Sequence, residues 1–221
     1  MKYGESAFIV LYLLFAAVSG VLMLVRADGK NGRRMGAAAL ILGAGDAFHL
    51  VPRVLDHFSS GDLTAALGIG KLVTSLTMTV FYVLLYYIWS GVFRGRKGKG
   101  LTAAVWLLAA LRLALCLLPQ NGWLRNSADA LWGTVRNVPF TALGIIVMAL
   151  FFRTRRRGKR FRSVWLYILL SFLFYLPVAV GAGAVPALGM LMIPKTVCYV
   201  LILITFLRYV TNGEEAKGLP S

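Results

Sequence analysis

The chain has 221 residues, of which 59% are hydrophobic and 14% charged, with a formal net charge of +16. With a mean hydropathy of +0.75, this composition excludes an ordinary water-soluble domain, where about a quarter of residues are charged. A membrane-spanning helix needs about 20 apolar residues, so the chain has room for about seven such helices with short loops, and no separate soluble domain fits.

Long apolar runs bounded by charge, glycine or proline predict helices over 6–25, 35–55, 63–93, 101–118, 137–152, 163–180 and 186–210, the fifth being the shortest. The first follows Lys2 and contains Ala16, Ala17, Ser19 and Gly20; its length predicts a spanning helix rather than a cleaved leader. Cys116 and Cys198 lie inside apolar runs and read as small core residues, not as a disulfide framework or a zinc site. The expected fold is thus all-α, a polytopic membrane bundle forming one transmembrane domain over 1–221.

Charge sets the expected orientation. Arg26, Lys30, Arg33 and Arg34 separate the first two helices, and Arg94, Arg96, Lys97 and Lys99 follow the third. Arg153, Arg155, Arg156, Arg157, Lys159, Arg160 and Arg162 follow the fifth, and Arg208 and Lys217 close the chain. The alternate segments hold only Lys2, Arg53, Arg125 and Arg136, so the positive-inside rule places the N-terminus outside and the C-terminus in the cytoplasm of a plasma (inner) membrane. Read this way, the positive charge is topological and no nucleic acid is expected as a partner. Membrane lipids are, and the basic run 153–162 is placed to meet anionic headgroups.

An internal repeat is also suggested. His49-Leu50-Val51-Pro52 in the second helix parallels Tyr175-Leu176-Pro177 in the sixth. Ile69-Gly70-Lys71-Leu72-Val73 and Ile193-Pro194-Lys195-Thr196-Val197 share Ile, Lys and Val in the third and seventh. Halves 1–100 and 137–221, joined by a linker helix over 101–118, would form a 3+1+3 parallel repeat of the kind found in transporters.

Ionisable groups at membrane depth are costly and usually face a bundle interior or a wet cavity. Asp46, His49 and Arg53, at i, i+3 and i+7, share one helix face. Lys71, Ser75, Thr79, Tyr82 and Tyr86 form a polar stripe on the third helix; Arg112 lies in the fourth, Tyr167, Ser171 and Tyr175 in the sixth, and Lys195 and Tyr199 in the seventh. Taken as one cavity, these set Arg53, Lys71, Arg112 and Lys195 against Asp46 alone, with His49 able to take either state. A small anionic ligand is the expected guest, held by Asp46, His49, Arg53, Lys71, Ser75, Tyr82, Arg112, Tyr175, Lys195 and Tyr199. The plainer reading has Arg53 and Lys71 snorkelling to the interface and Asp46 pairing with Arg112 as a structural link.

No cofactor is expected, and no metal: Asp46 and His49 have ligand spacing, but His57 falls in the following loop and the nearby cations would repel a metal ion. Gly43-Ala44-Gly45-Asp46-Ala47-Phe48-His49 resembles the glycine, serine and histidine run of the alkaline-ceramidase superfamily of seven-helix hydrolases. It departs from that run in having Asp46 near the serine's place and one residue fewer before the histidine, and the last helix lacks a histidine pair, so no residue role is carried over. Lys195 in the seventh helix, with Phe174-Tyr175-Leu176-Pro177 before it, is similar to a rhodopsin, although the third helix carries Lys71 and no acid. The leading expectation is a small permease with an outward-facing cationic cavity, proton-coupled through Asp46 and His49. The alternatives are a membrane-embedded hydrolase or transferase acting on a lipid, with His49 as base, and a seven-helix sensor or retinal-type protein.

Overall fold

The computed structural model describes residues 2–58, 61–95, 98–126, 130–181 and 185–213, and all regular structure among them is helical. Seven α-helices follow in order: α1 Lys2–Arg26, α2 Lys30–Phe58, α3 Thr64–Val92, α4 Lys99–Leu117, α5 Ala130–Thr154, α6 Val164–Gly181 and α7 Met192–Thr211. Short 3₁₀ turns, Pro119–Asn121 and Trp123–Arg125, join α4 to α5, and another, Pro186–Leu191, leads into α7. Six stretches are long and apolar enough to cross a membrane, while the apolar part of α6, Val164–Ala179, is shorter. Arg96, Lys97 and Lys217 of the basic segments lie outside the described residues.

Several boundaries differ from the sequence expectation; α2 begins at Lys30 and so takes in Arg33 and Arg34, expected between helices. The fifth helix has 25 residues and the sixth only 18, so α6 is the shortest of the seven. Arg136 reads as a helix stop in the sequence, yet it lies inside α5 because its head group is satisfied there, over the Trp123 ring and donating to Asn121 Oδ1. Residues 186–191 are 3₁₀ rather than α, and α7 starts at Met192 with Pro194 in its first turn. A proline costs little there, since the first N–H groups of a helix have no partner within it. Residue 57, expected in a loop, lies in the last turn of α2.

Consecutive helices run antiparallel: an ion pair joins Glu5 at the start of α1 to Arg53 near the end of α2, and Arg112 near the end of α4 meets Arg136 near the start of α5. The end where α1, α3, α5 and α7 begin is called the leading end below, and the opposite one the trailing end. Helix α3 is central, packing on α2, α4 and α5. Its trailing half is buried on nearly every side, from Met78 through Phe81, Tyr82, Leu85, Tyr86, Ile88 and Trp89. Outward faces are also apolar: α1 exposes Val10, Leu11, Leu14, Val18, Val21 and Val25, and α4 exposes Trp106, Leu107 and Leu111. A helix apolar all round suits a hydrocarbon surrounding, where packing rather than exclusion of water joins helices. Small residues allow that packing. A Cβ on Gly45 would clash with the Thr77 side chain, and one on Gly70 with the Phe48 and His49 backbone, so these glycines hold Asp46 and His49 tightly against α3.

Candidate functional site

The polar residues of the leading half fall into two connected groups. The first joins α1, α2 and α7. Tyr12 donates a 2.6 Å hydrogen bond to Asp46 Oδ2, and one helical face further out Arg53 Nε lies 2.7 Å from Glu5 Oε1. Glu5 and Tyr12 are seven residues apart, as are Asp46 and Arg53, so the two antiparallel helices match an acid with a base and a phenol with an acid in register. Lys195, in the first turn of α7, is only 7% exposed. Its Nζ sits 4.5 Å from the centre of the Tyr175 ring and 5.7 Å from that of Tyr199, a cation–π arrangement. Lys195 also interacts through space with Asp46. Among the described residues the close ion pair is Arg53 with Glu5, so Asp46 and Lys195 face each other without direct contact.

The second group joins α3, α4, α5 and α6. Arg112 is 2% exposed, its Nη1 donates to the Arg136 carbonyl, and its guanidinium lies 5.2 Å from the centre of the Phe140 ring. Pro139, one turn on in α5, supplies no N–H to the helix ladder and loosens it there. Arg112 Nε has no hydrogen-bond partner. Arg136 stacks 4.3 Å over Trp123 and donates to Asn121 Oδ1 at 2.7 Å, while Asn121 Nδ2 caps the end of α4 by donating to the Leu115 and Leu118 carbonyls. Tyr175 donates to Asn137 Oδ1 at 2.7 Å. Lys195 and Arg112 interact through space, which links the two groups.

The site residues expected from sequence therefore separate. Asp46, Lys195, Tyr175 and Tyr199 come together in the leading half, while Arg112 belongs to the second group, against Arg136 and Phe140. His49 lies beside them with Nδ1 buried and unpartnered, near the charges of Lys71, Arg53 and Lys195. Arg53 is neutralised by Glu5, and Asp46 takes its hydrogen bond from Tyr12 rather than pairing with Arg112. Lys71 is exposed and donates to Asn126 Oδ1 at 2.8 Å. The stripe on α3 is not one wall of a cavity. The hydroxyls of Ser75 and Thr79 donate back to carbonyls of their own helix, Tyr82 pairs with Ser171 at 3.5 Å deep in the bundle, and Tyr86 meets Thr102 of α4 at 2.7 Å. The reason is the central position of α3, which brings neighbours onto all its faces.

A cavity of about 280 Å³ opens between α1, α2 and the turn leading into α7. Phe8, Ile9, Leu50, Met190 and Ile193 give it apolar walls, and Glu5, Arg53 and Tyr12 supply its polar side. The sequence reading missed Glu5 and Tyr12, whose signal was an acid and a phenol seven residues apart in the first apolar run, and it missed Arg136, which it assigned to a loop.

No protein-family model matches the chain, and no curated protein matches it. Among the described residues the charges of the site do not balance: Arg53, Lys71, Arg112, Arg136 and Lys195 stand against Glu5 and Asp46. Cations removed from water without counter-charge are costly, and an anion relieves that cost.

Proposed function

We propose that this chain is a small multi-pass permease for an anionic solute or headgroup, with the leading end facing the exterior and the C-terminus in the cytoplasm. The observation that carries this reading is the pair of buried cations, Arg112 and Lys195, served by one nearby carboxylate, Asp46, with Arg112 Nε left unpartnered. Seven spans, the outward leading end and the 3+1+3 repeat belong to the same reading. Its support is the charge asymmetry of the loops and the two lysines, Lys71 and Lys195, near the starts of α3 and α7. Proton coupling rests on Asp46, which meets a phenol on one side and an ammonium on the other. Loss or gain of one proton there changes how much positive charge the cluster offers an anion.

The test is a screen of carboxylates, phosphates and phospholipid headgroups for a rise in melting temperature of the full-length protein, since a ligand of the native state stabilises it by mass action. A binding anion should then be taken up intact by proteoliposomes. Lys195→Met should abolish both the shift and the uptake. If no anion stabilises the wild type while folded Lys195→Met supports full cellular activity, the proposal fails. A second reading, a hydrolase or transferase for a lipid-linked substrate with His49 as base, draws support from the apolar-walled cavity beside Tyr12. Chemical conversion of the loaded ligand, in place of its uptake, would decide for it.

A further inference from the structure

Burial deepens along a row of cations that starts at the leading end. Lys71 is exposed, Arg136 is half-buried, and Arg112 is 2% exposed. Arg112 Nη1 donates to the Arg136 carbonyl, and Lys71 and Arg136 both reach the short segment 121–126, the one through Asn126 and the other through Asn121 and Trp123. All three stand at the same end of the bundle, near the start of α3, the end of α4 and the start of α5. Every partner found for them is neutral: Asn126 for Lys71, Asn121 and the Trp123 ring for Arg136, the Arg136 carbonyl and the Phe140 ring for Arg112.

Among the described residues no carboxylate pairs with any of the three. Asp129 lies outside the described residues. The buried Arg112 Nε retains an unused donor, and Arg112 interacts in turn with Lys195. Like charges gathered with neutral partners only are unfavourable unless something negative joins them.

We infer that Lys71, Arg136 and Arg112 form an oxyanion site at the leading end, on the outer side of the Asp46–Lys195 cluster and joined to it at Arg112, whose occupant is a phosphate or carboxylate group. Two guanidinium groups offer the planar, forked donors that match such oxygens, and the lysine adds a mobile charge at the mouth. The site binds whether or not the chain transports. Its role as the outer station from which an anion reaches Lys195 rests on the permease reading.

The experiment uses the full-length protein in nanodiscs of neutral lipid, titrated with inorganic phosphate at constant ionic strength while thermal unfolding is followed. Phosphate should raise the unfolding temperature saturably. Lys71→Gln, at an exposed position where the amide can keep the hydrogen bond to Asn126, should weaken the apparent affinity about tenfold, as expected for loss of one charge-assisted bond. Arg136→Lys keeps the charge but loses the fork, and should weaken it several-fold. Discs containing phosphatidic acid identify the source. If they remove the phosphate response of the wild type, a lipid headgroup is the occupant; if the response persists, the occupant is a free oxyanion.

The inference is overturned if the wild type shows no saturable shift, or if Lys71→Gln and Arg136→Lys respond as the wild type does. It is overturned equally if only Asp129→Asn responds, because Asp129 would then be the counter-ion of the three cations. A saturable shift that depends on Lys71 and Arg136, without uptake of labelled phosphate by wild-type proteoliposomes, leaves the site standing and removes transport. Uptake that ignores both substitutions removes the site and leaves transport standing.

Discussion

The two ends of the bundle are built by different rules. At the trailing end, rings fill the space between helices: Phe161 lies 5.8 Å from Phe93, 6.3 Å from Phe206 and 5.3 Å from Tyr209 by ring centres. The buried polar groups there are satisfied: Ser90 donates to the Gly95 carbonyl and Thr154 to that of Leu150, and Trp89 Nε1 donates to Thr154 Oγ1 at 3.1 Å. The leading end is interrupted by 3₁₀ turns, carries the cavity, and buries two cations, Arg112 and Lys195. One end clamps the helices by close packing, and the other accepts electrostatic cost. Proteins concentrate such cost where they bind something, which is why the proposed anion site is set at the leading end.

The largest test of this division is Phe161→Ala, which should cost about 3–5 kcal/mol in unfolding, by loss of contacts and creation of a cavity. Any anion-induced shift should remain. A cost below about 1 kcal/mol would mean that the aromatic cluster is not the clamp.

Tyr12→Phe comes next. It removes the phenol from the Asp46 carboxylate and should cost about 2 kcal/mol, the range for hydrogen bonds to charged groups. It should also change the pH dependence of anion binding, because Asp46 loses the phenol that donates to it. An unchanged pH profile would detach Asp46 from the site.

A smaller effect is expected for Glu5→Gln. Its pair with Arg53 is partly exposed, 24% and 32% for the two side chains, so the loss should be under about 1 kcal/mol and should shrink further in high salt. If Arg53 then joins the anion site, affinity should rise. A loss of several kcal/mol would instead show the pair to be sealed from solvent.

The smallest effect concerns Asp62, in the loop before α3, whose carboxylate accepts the Thr64 N–H at 2.9 Å. The bonds from Thr64 hold Asp62 below its usual carboxylate range. A depressed native value means that this contribution is present above the unfolded value near 3.8 and is lost as the pH falls through the native one. Fraying at the start of α3, followed by amide exchange below that pH, should therefore appear in the wild type and be pH-independent in Asp62→Asn.

Much of the candidate site was legible, but only as a set of residues. Asp46, Arg112 and Lys195 stand out in the sequence because charge inside an apolar run is rare. Their partners do not stand out. Tyr12 is an unremarked tyrosine in the first run, and Glu5 precedes that run, so the neutralisation of Arg53 was invisible. Arg136 was read as a boundary for a similar reason: sequence reports that a charge is present, while only its neighbours, here Trp123 and Asn121, decide whether a helix can carry it.

The sequence by itself determined that this is an all-helical chain with several apolar helices suited to a membrane, because apolar length and loop charge are local properties that a bilayer reads segment by segment. Tertiary structure alone decided which charges meet. The match of Glu5 and Tyr12 with Arg53 and Asp46 needs antiparallel register between α1 and α2, and the enclosure of Lys195 needs rings from α6 and α7 on one side of it. Register and enclosure depend on how closely the helices approach. Glycines such as Gly45 and Gly70 set that approach by what they leave out, and a missing side chain becomes informative only once the opposing helix is in place.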